Sequence, residues 1–584
     1  MKRLLLTLCC TLSTALFALT WTDPGTHLTW TYTLANGTVS LGGGSRSAPA
    51  IPTTYAGPLT IPPKINGTPV GAVSDYAFCD CLHLTSVILP EGVTTLGAGA
   101  FLRCSSLVSV VMPASVKTIQ ERAFERCQSL TSAVIPQGVL AVGLRTFYGC
   151  SSLTSVALPE GLRFIGPWTF YGCKSLNAVA LPASVSEVGS SAFEGCEALS
   201  AMALPEGLAT LARRTFFGCT SLRTVKLSEG LVTVEENAFG GCSALGAVAL
   251  PKGVTTLKEG AFACCEGLQS IELPTGLTAI EDSVFLGCTA LTSVALPKGL
   301  TTLGSEAFLG CTALATVKFS KGLTTIGDQA FARCSALRTA KLPKGLTALG
   351  GEAFAQCTSL TSVEIPEGIP AIEYWTFYEC PALRTVELPK SVTTLGAQAF
   401  YGCSSLTSIE VPRGVTAIGQ LAFRGCSSLR GVKLPAGLTA IQLGTFDGCS
   451  ALRSVALPEG LTSIAPGAFH GCSALTSVKL PEALKTLGTA AFRSCSALTS
   501  VAIPEGVSEI EKLAFYDCSS LTSVVIPASV SAIGENAFAE CPRLMQVTFL
   551  GDVPRGWEEV YPKGRSINFP ETHAKAWKRA LGDE

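Results

Sequence analysis

Phenylalanine stands at position 78 and then at every twenty-third residue to Phe538, twenty-one times without a slip. Three residues after each comes a cysteine, from Cys81 to Cys541, and six after each a leucine, from Leu84 to Leu544. Apolar residues follow at the ninth and eleventh positions, as in Val87 and Leu89 or Val110 and Met112. Most copies then place a proline, such as Pro90 or Pro113, followed by Gly or Ser and two aliphatic residues three apart, such as Val93 and Leu96. The unit reads roughly A-F-x-x-C-x-x-L-T-S-V-x-L-P-x-G-L-T-x-L-G. A period this strict predicts a solenoid, in which each coil buries its apolar side against its neighbours.

The spacing predicts the elements of one coil. The segment LTSVALP, residues 153–159, alternates apolar and small residues, the pattern of a short strand stacked in parallel on its counterpart in the next coil. Proline after it has no amide hydrogen and stops the ladder. The following EGLRFIG supplies a turn and a second extended piece. A-F-x-x-C places Phe and Cys three apart, on one side of a short helical turn. The expected fold is a repeat solenoid of about 21 coils, mostly short parallel strands with short helical turns and a capping segment at each end.

The ends depart from the repeat. Residues 1–18 carry Lys2 and Arg3 before an apolar run and read as a secretory signal peptide, too short for a stable membrane span, with cleavage expected after Ala18. Cys9 and Cys10 lie inside that run without the small preceding residue that a lipid-attachment site uses. Residues 19–73 read as a β-rich cap and an irregular first coil, with a hairpin at the Asn36-Gly37 turn. Residues 74–549 are the repeat solenoid. Residues 550–584 are expected to form a C-terminal cap whose short helix lays Trp577 over the last coil.

Composition narrows the function classes. Only 15% of residues are charged and the net charge is -1, which leaves no basic footprint for nucleic acid. At 47% apolar content the chain can bury a large core. The four histidines, His27, His83, His470 and His573, are too scattered for a catalytic triad or a two-histidine metal site. No phosphate loop and no HExxH motif occurs. The expectation is a non-enzymatic chain without catalytic residues, cofactor or metal, and without a transmembrane segment.

Twenty-five cysteines in a chain that reads as exported invite a disulfide framework. Twenty-one lie on the ladder, an odd number, so they cannot all pair with one another. In-register residues also point their Cβ atoms in parallel about 5 Å apart, whereas a disulfide needs about 3.8 Å. The ladder is therefore expected to hold reduced thiols packed as small hydrophobes. Around Cys79, Cys81 and His83, one buried Cys beside two surface residues is expected, and Cys264 should be a surface thiol beside the core Cys265.

The run TFYGCSSLTSVALPEGL, residues 146–162, resembles the BspA-type leucine-rich repeat, a 23-residue class found in surface proteins of bacteria and protists. The resemblance covers residues 74 to about 549. It implies a right-handed leucine-rich superhelix on a secreted or cell-surface protein. It also implies a role in adhesion to host matrix proteins or other cell surfaces.

Two sets of residues are candidates for a partner. The strand residue between the two apolar positions must face outward. It is Ile88, Val111, Val134, Ala157, Ala180 and Ala203 in the early coils. It becomes Lys318 and Lys341, then Glu364, Glu387 and Glu410, then Lys433 in later ones. With Lys298, Lys321 and Lys344 at a second position, these suggest a basic patch beside an acidic row, against the alternative of drift on a solvated face. Aromatic residues cluster at Tyr148, Trp168 and Tyr171, and again at Tyr374, Trp375, Tyr378 and Tyr401. Trp168 and Trp375 could stack on sugar rings or anchor a protein, or serve packing at the coil corner. The expected partner is a protein, with a glycan as a further possibility. A self-associating sheath component and a polysaccharide-binding module are the competing readings.

Overall fold

In the computed structural model, residues 18–560 and 566–582 are described; the signal-peptide reading of residues 1–18 falls, except for Ala18, outside them. The chain divides between Gly253 and Val254 into two compact units. Both are built from 23-residue coils, and the chain is a β-solenoid of short, mostly parallel strands with little helix.

In the first unit, strands Leu19–Thr22, Thr29–Ala35 and Thr38–Leu41 form an antiparallel meander. Its hairpin turns at Asn36 and Gly37, both at positive φ (54° and 77°). The last of these strands pairs in parallel with Thr68–Val73, which continues to Thr95–Leu96 and the second strands of later coils. A second ladder runs from Gly57–Thr60 through Leu84–Ile88 to Ser109–Val111. The meander thus pairs the edge that the first coil would leave open. Most coils contribute a three-residue strand and a two-residue strand, and the segment that carries Phe and Cys leads from the two-residue strand to the next coil.

The second unit repeats this plan. Thr302–Leu303, Thr325–Ile326 and Ala348–Leu349 form one parallel ladder, and Ser293–Ala295 with Thr316–Lys318 lies on the other. At its end, Ser523–Ile526, Gln546–Phe549 and Ser566–Asn568 pair in parallel. The helix Ala574–Leu581 buries Trp577 against Phe549, 4.3 Å between ring centres, and the indole N–H donates to the Gly551 carbonyl at 3.1 Å.

The phenylalanines form the core. Each ladder ring is fully buried. Neighbouring rings stack nearly parallel, at 5.0 Å for Phe78–Phe101 in the first unit and 5.4 Å for Phe308–Phe331 in the second. An insertion of one residue would move a ring out of its stack, which is the physical reason for the strict period.

The segment expected to be a helical turn is a chain of tight turns. Residues two before and two after each ladder Phe sit at positive φ, including Arg333 (61°), Glu352 (57°) and Trp375 (56°). Left-handed residues interrupt any helix. The backbone hydrogen bonds run mostly between coils: Phe78 N–H donates to Ala100 O at 2.7 Å and Asp80 N–H to Leu102 O at 2.9 Å.

The ladder cysteines are free and buried, as the spacing argument requires. From Cys104 onward they do more than fill space. The Cys104 thiol donates to the Phe78 carbonyl at 3.0 Å, and Cys334 does the same to Phe308 at 3.2 Å. The Phe78 carbonyl also accepts the Cys81 amide at 3.3 Å, so the thiol satisfies the second lone pair of a buried oxygen. Cys79 corrects the sequence reading, because it is buried as well as Cys81, while His83 is exposed. Its thiol faces the Asp80 carboxylate at 3.2 Å, and burial is the main reason it is pushed up to about 12. Cys264 is exposed as expected.

Candidate recognition surface

Alternation along the three-residue strands decides what faces solvent. In Thr339–Lys341, Ser362–Glu364, Thr385–Glu387 and Ser408–Glu410 the middle residue is buried and the last is exposed. Lys318 and Lys433 take the same outward position. Parallel register sets Lys341 opposite Glu364, and Glu364 opposite Glu387. It also sets Glu410 opposite Lys433.

Two of the three glutamates are thereby neutralised. Lys341 Nζ lies 2.7 Å from Glu364, and Lys433 Nζ lies 3.0 Å from Glu410. The Lys433 hydrogen bond and charge hold the Glu410 carboxyl below its ordinary value, with Arg413 adding a smaller pull. These exposed pairs add little to stability. Their consequence is for the surface field. Among the described residues, Glu387 has no hydrogen-bond or ion-pair partner, and it stands in the middle of the row.

A second row crosses the turn after the strand. It carries Lys298, Lys321, Lys344, Glu367, Lys390 and Arg413 on successive coils, all exposed.

 Glu367 directs its carboxylate at the backbone N–H groups of Lys390 and Ser391, both at 3.4 Å. Lys298, Lys318, Lys321, Lys344, Lys390 and Arg413 form no ion pair among the described residues. On two neighbouring coils both rows line one open groove of about 890 Å³, Glu387 and Glu410 from the strand row and Lys390 and Arg413 from the turn row. Thr385 and Ser408 line the same groove. The sequence suggests a basic patch continued by an acidic row; once the pairs are counted, the free charge is mostly positive, with a single free carboxylate.

The aromatic residues are largely occupied by one another. In the first unit Tyr148 and Tyr171 stack at 4.6 Å, and the Arg145 guanidinium lies 5.4 Å from both the Tyr148 and the Trp168 rings. In the second unit Trp375 meets Tyr378 at 5.6 Å, and Tyr378 stacks on Tyr401 at 4.9 Å. Tyr374 lies over Gly351, whose missing side chain makes room for the ring. Tyr374 and Trp375 remain 45% and 38% exposed. Trp168 and Trp375 therefore belong to packed corner clusters, and neither lines the charged groove. At the other end of the chain, the outward row Ile88, Val111 and Val134 is exposed, Val134 to 66%. Among the described residues no group of three or more metal-ligating side chains converges, and no helix is long and apolar enough to cross a membrane.

The profile of the BspA type leucine rich repeat region matches residues 71–200, 141–265, 209–338, 324–453 and 439–555, overlapping segments that together span 71–555. No curated protein matches the chain. Among solved structures, a leucine rich cell surface protein from Faecalibacterium prausnitzii is 26% identical over 63% of this chain and 94% of its own, with a TM-score of 0.36. A leucine-rich repeat protein from Bacteroides ovatus is 23% identical over 93% of this chain and 98% of its own, with a TM-score of 0.24. The pneumococcal vaccine antigen PcpA is 15% identical over 96% of each chain, with a TM-score of 0.31.

Proposed function

The chain belongs to the BspA-type leucine-rich repeat family, and from that premise we propose that it is an exported, cell-surface protein without catalytic activity. It presents an extended surface for adhesion or for recognition of a partner on another surface. One observation carries this reading. The inward rows are uniform, Phe, Cys and Leu in every coil, while the outward strand row varies, from Ile88, Val111 and Val134 through a stretch rich in alanine with Lys226 and Glu272 to the charged run from Lys318 to Lys433. A purely structural array would have no need for such segmentation of its exposed face. The basic start and apolar run of residues 1–18 support export.

Bacteria engineered to display the full chain should adhere to epithelial layers or matrix-coated surfaces several-fold better than cells carrying an empty vector. Surface protease treatment, which verifies display, should abolish the gain. Verified display with no gain in adhesion would overturn the reading. The exposed Ile88, Val111 and Val134 row favours a second reading, self-assembly into a sheath. In that case the purified chain would form ordered oligomers without any ligand.

A further inference from the structure

We propose that the turn row from Lys298 to Arg413, which ends in the groove lined by Glu387, Lys390, Glu410 and Arg413, binds a linear acidic polysaccharide, a chain of uronic acids lying across successive coils. The proposal rests on the recognition role given above and names the ligand class for it.

Charge is the first argument. Along the turn row, Lys298, Lys321, Lys344, Lys390 and Arg413 supply one unpaired cation on five of six successive coils. The exception, Glu367, is engaged with backbone N–H groups. A partner that follows this row must be an extended polyanion.

Spacing is the second. Coils stack at the strand separation, about 4.8 Å. An extended peptide advances about 3.3 Å per residue, so carboxylates on one of its faces recur at roughly twice that interval, out of step with the coils. Phosphates along one strand of duplex DNA advance about 3.4 Å, also out of step. A linear chain of pyranose rings advances by one ring in close to one coil spacing. Because successive rings turn about the chain axis, the carboxylates of a polyuronate that face the row recur every second or third ring, in step with cations two or three coils apart.

The third argument is the free carboxylate. Glu387 would repel a ligand made only of anions. It suits one that also carries hydroxyl donors, and Thr385 and Ser408 offer further hydroxyl partners in the same groove. A uronic acid has both functions on each ring: its carboxylate meets the lysine and arginine row, and its hydroxyls donate to Glu387.

The test is calorimetric titration of the full chain with oligogalacturonates of increasing length. Neutral cello-oligosaccharides and polyglutamate of matched charge serve as comparisons. Oligogalacturonate should bind, more tightly with each added ring and more weakly as salt rises. The neutral oligosaccharide should not bind, and polyglutamate should bind at least tenfold more weakly. The triple variant Lys321→Gln, Lys344→Gln, Lys390→Gln, checked for an unchanged melting profile, should lose at least tenfold in oligogalacturonate affinity. Glu387→Gln gives a test by sign: it should weaken oligogalacturonate binding several-fold and strengthen polyglutamate binding. Equal affinity for polyglutamate, tighter binding of both ligands by Glu387→Gln, or no oligogalacturonate binding would each overturn the proposal. If displaying cells still adhere while oligogalacturonate fails to bind, the ligand class is wrong and the recognition role stands.

Discussion

Phe308→Ala should cost about 3–5 kcal/mol of stability, and the loss should appear first as local opening. The Phe308 ring is fully buried between Phe285 at 5.2 Å and Phe331 at 5.4 Å. Neighbouring coils cannot close the gap, because their own backbones are fixed at the strand spacing by parallel pairing. In a stacked array the damage belongs to the altered coil and its two interfaces. Hydrogen exchange should therefore accelerate around residues 285–331 well before the rest of the second unit opens. Uniform acceleration along that unit would contradict nearest-neighbour stacking.

Alkaline pH should unfold the protein steeply. Burial pushes the Cys311, Cys380 and Cys495 thiols up to about 12 from an ordinary 9.0, and raises other ladder thiols as well. The sign follows from which state loses protons first. Below about pH 9 both states keep the thiols protonated, and stability does not depend on them. Above it the unfolded chain ionises while the folded chain does not, so stability falls as pH rises toward 12. Each thiol contributes about 1.4 kcal/mol per pH unit in that window. Eleven ladder thiols of the second unit, Cys288 to Cys518, are raised in this way, so the combined slope exceeds what any single group can give. Denaturant titrations from pH 7 to pH 11 should show flat stability to about pH 8 and then a sharp decline. Equal stability at pH 7 and pH 10.5 would contradict thiols held protonated in the core.

The period made the core legible. Phe, Cys and Leu recur at fixed offsets, and a side chain that recurs in every coil can only be one that every coil buries. The short strands followed from alternation and from proline at their ends. The left-handed residue two before each Phe is hidden in most coils, because positions such as Gln329, Glu352 and Trp375 carry none of the glycine that usually marks positive φ, whereas two after Phe glycine stands in about half of the coils, as at Gly149 and Gly310. Their conformation is imposed by hydrogen bonds to the next coil, which no local pattern records. For the same reason the thiol-to-carbonyl bond was out of reach, since its partners lie 26 residues apart, as in Cys334 and Phe308. The burial of Cys79 is not legible in the spacing, because its position in the coil is filled by other residue types elsewhere. On the surface, residue spacing located the charged rows. It could not show that Lys341 and Lys433 neutralise Glu364 and Glu410 and leave Glu387 alone, because ion pairing depends on which side chains reach across the strand gap.

The central claim is that one invariant cysteine per coil is a buried, reduced part of the core. Brief labelling of the native, non-reduced protein with a small alkylating reagent, followed by peptide mass spectrometry, tests it most directly. Among Cys79 to Cys541, Cys264 should label rapidly, and the ladder cysteines should label only after denaturation. Rapid native labelling of many ladder cysteines, or disulfide-linked peptides joining neighbouring coils, would contradict it.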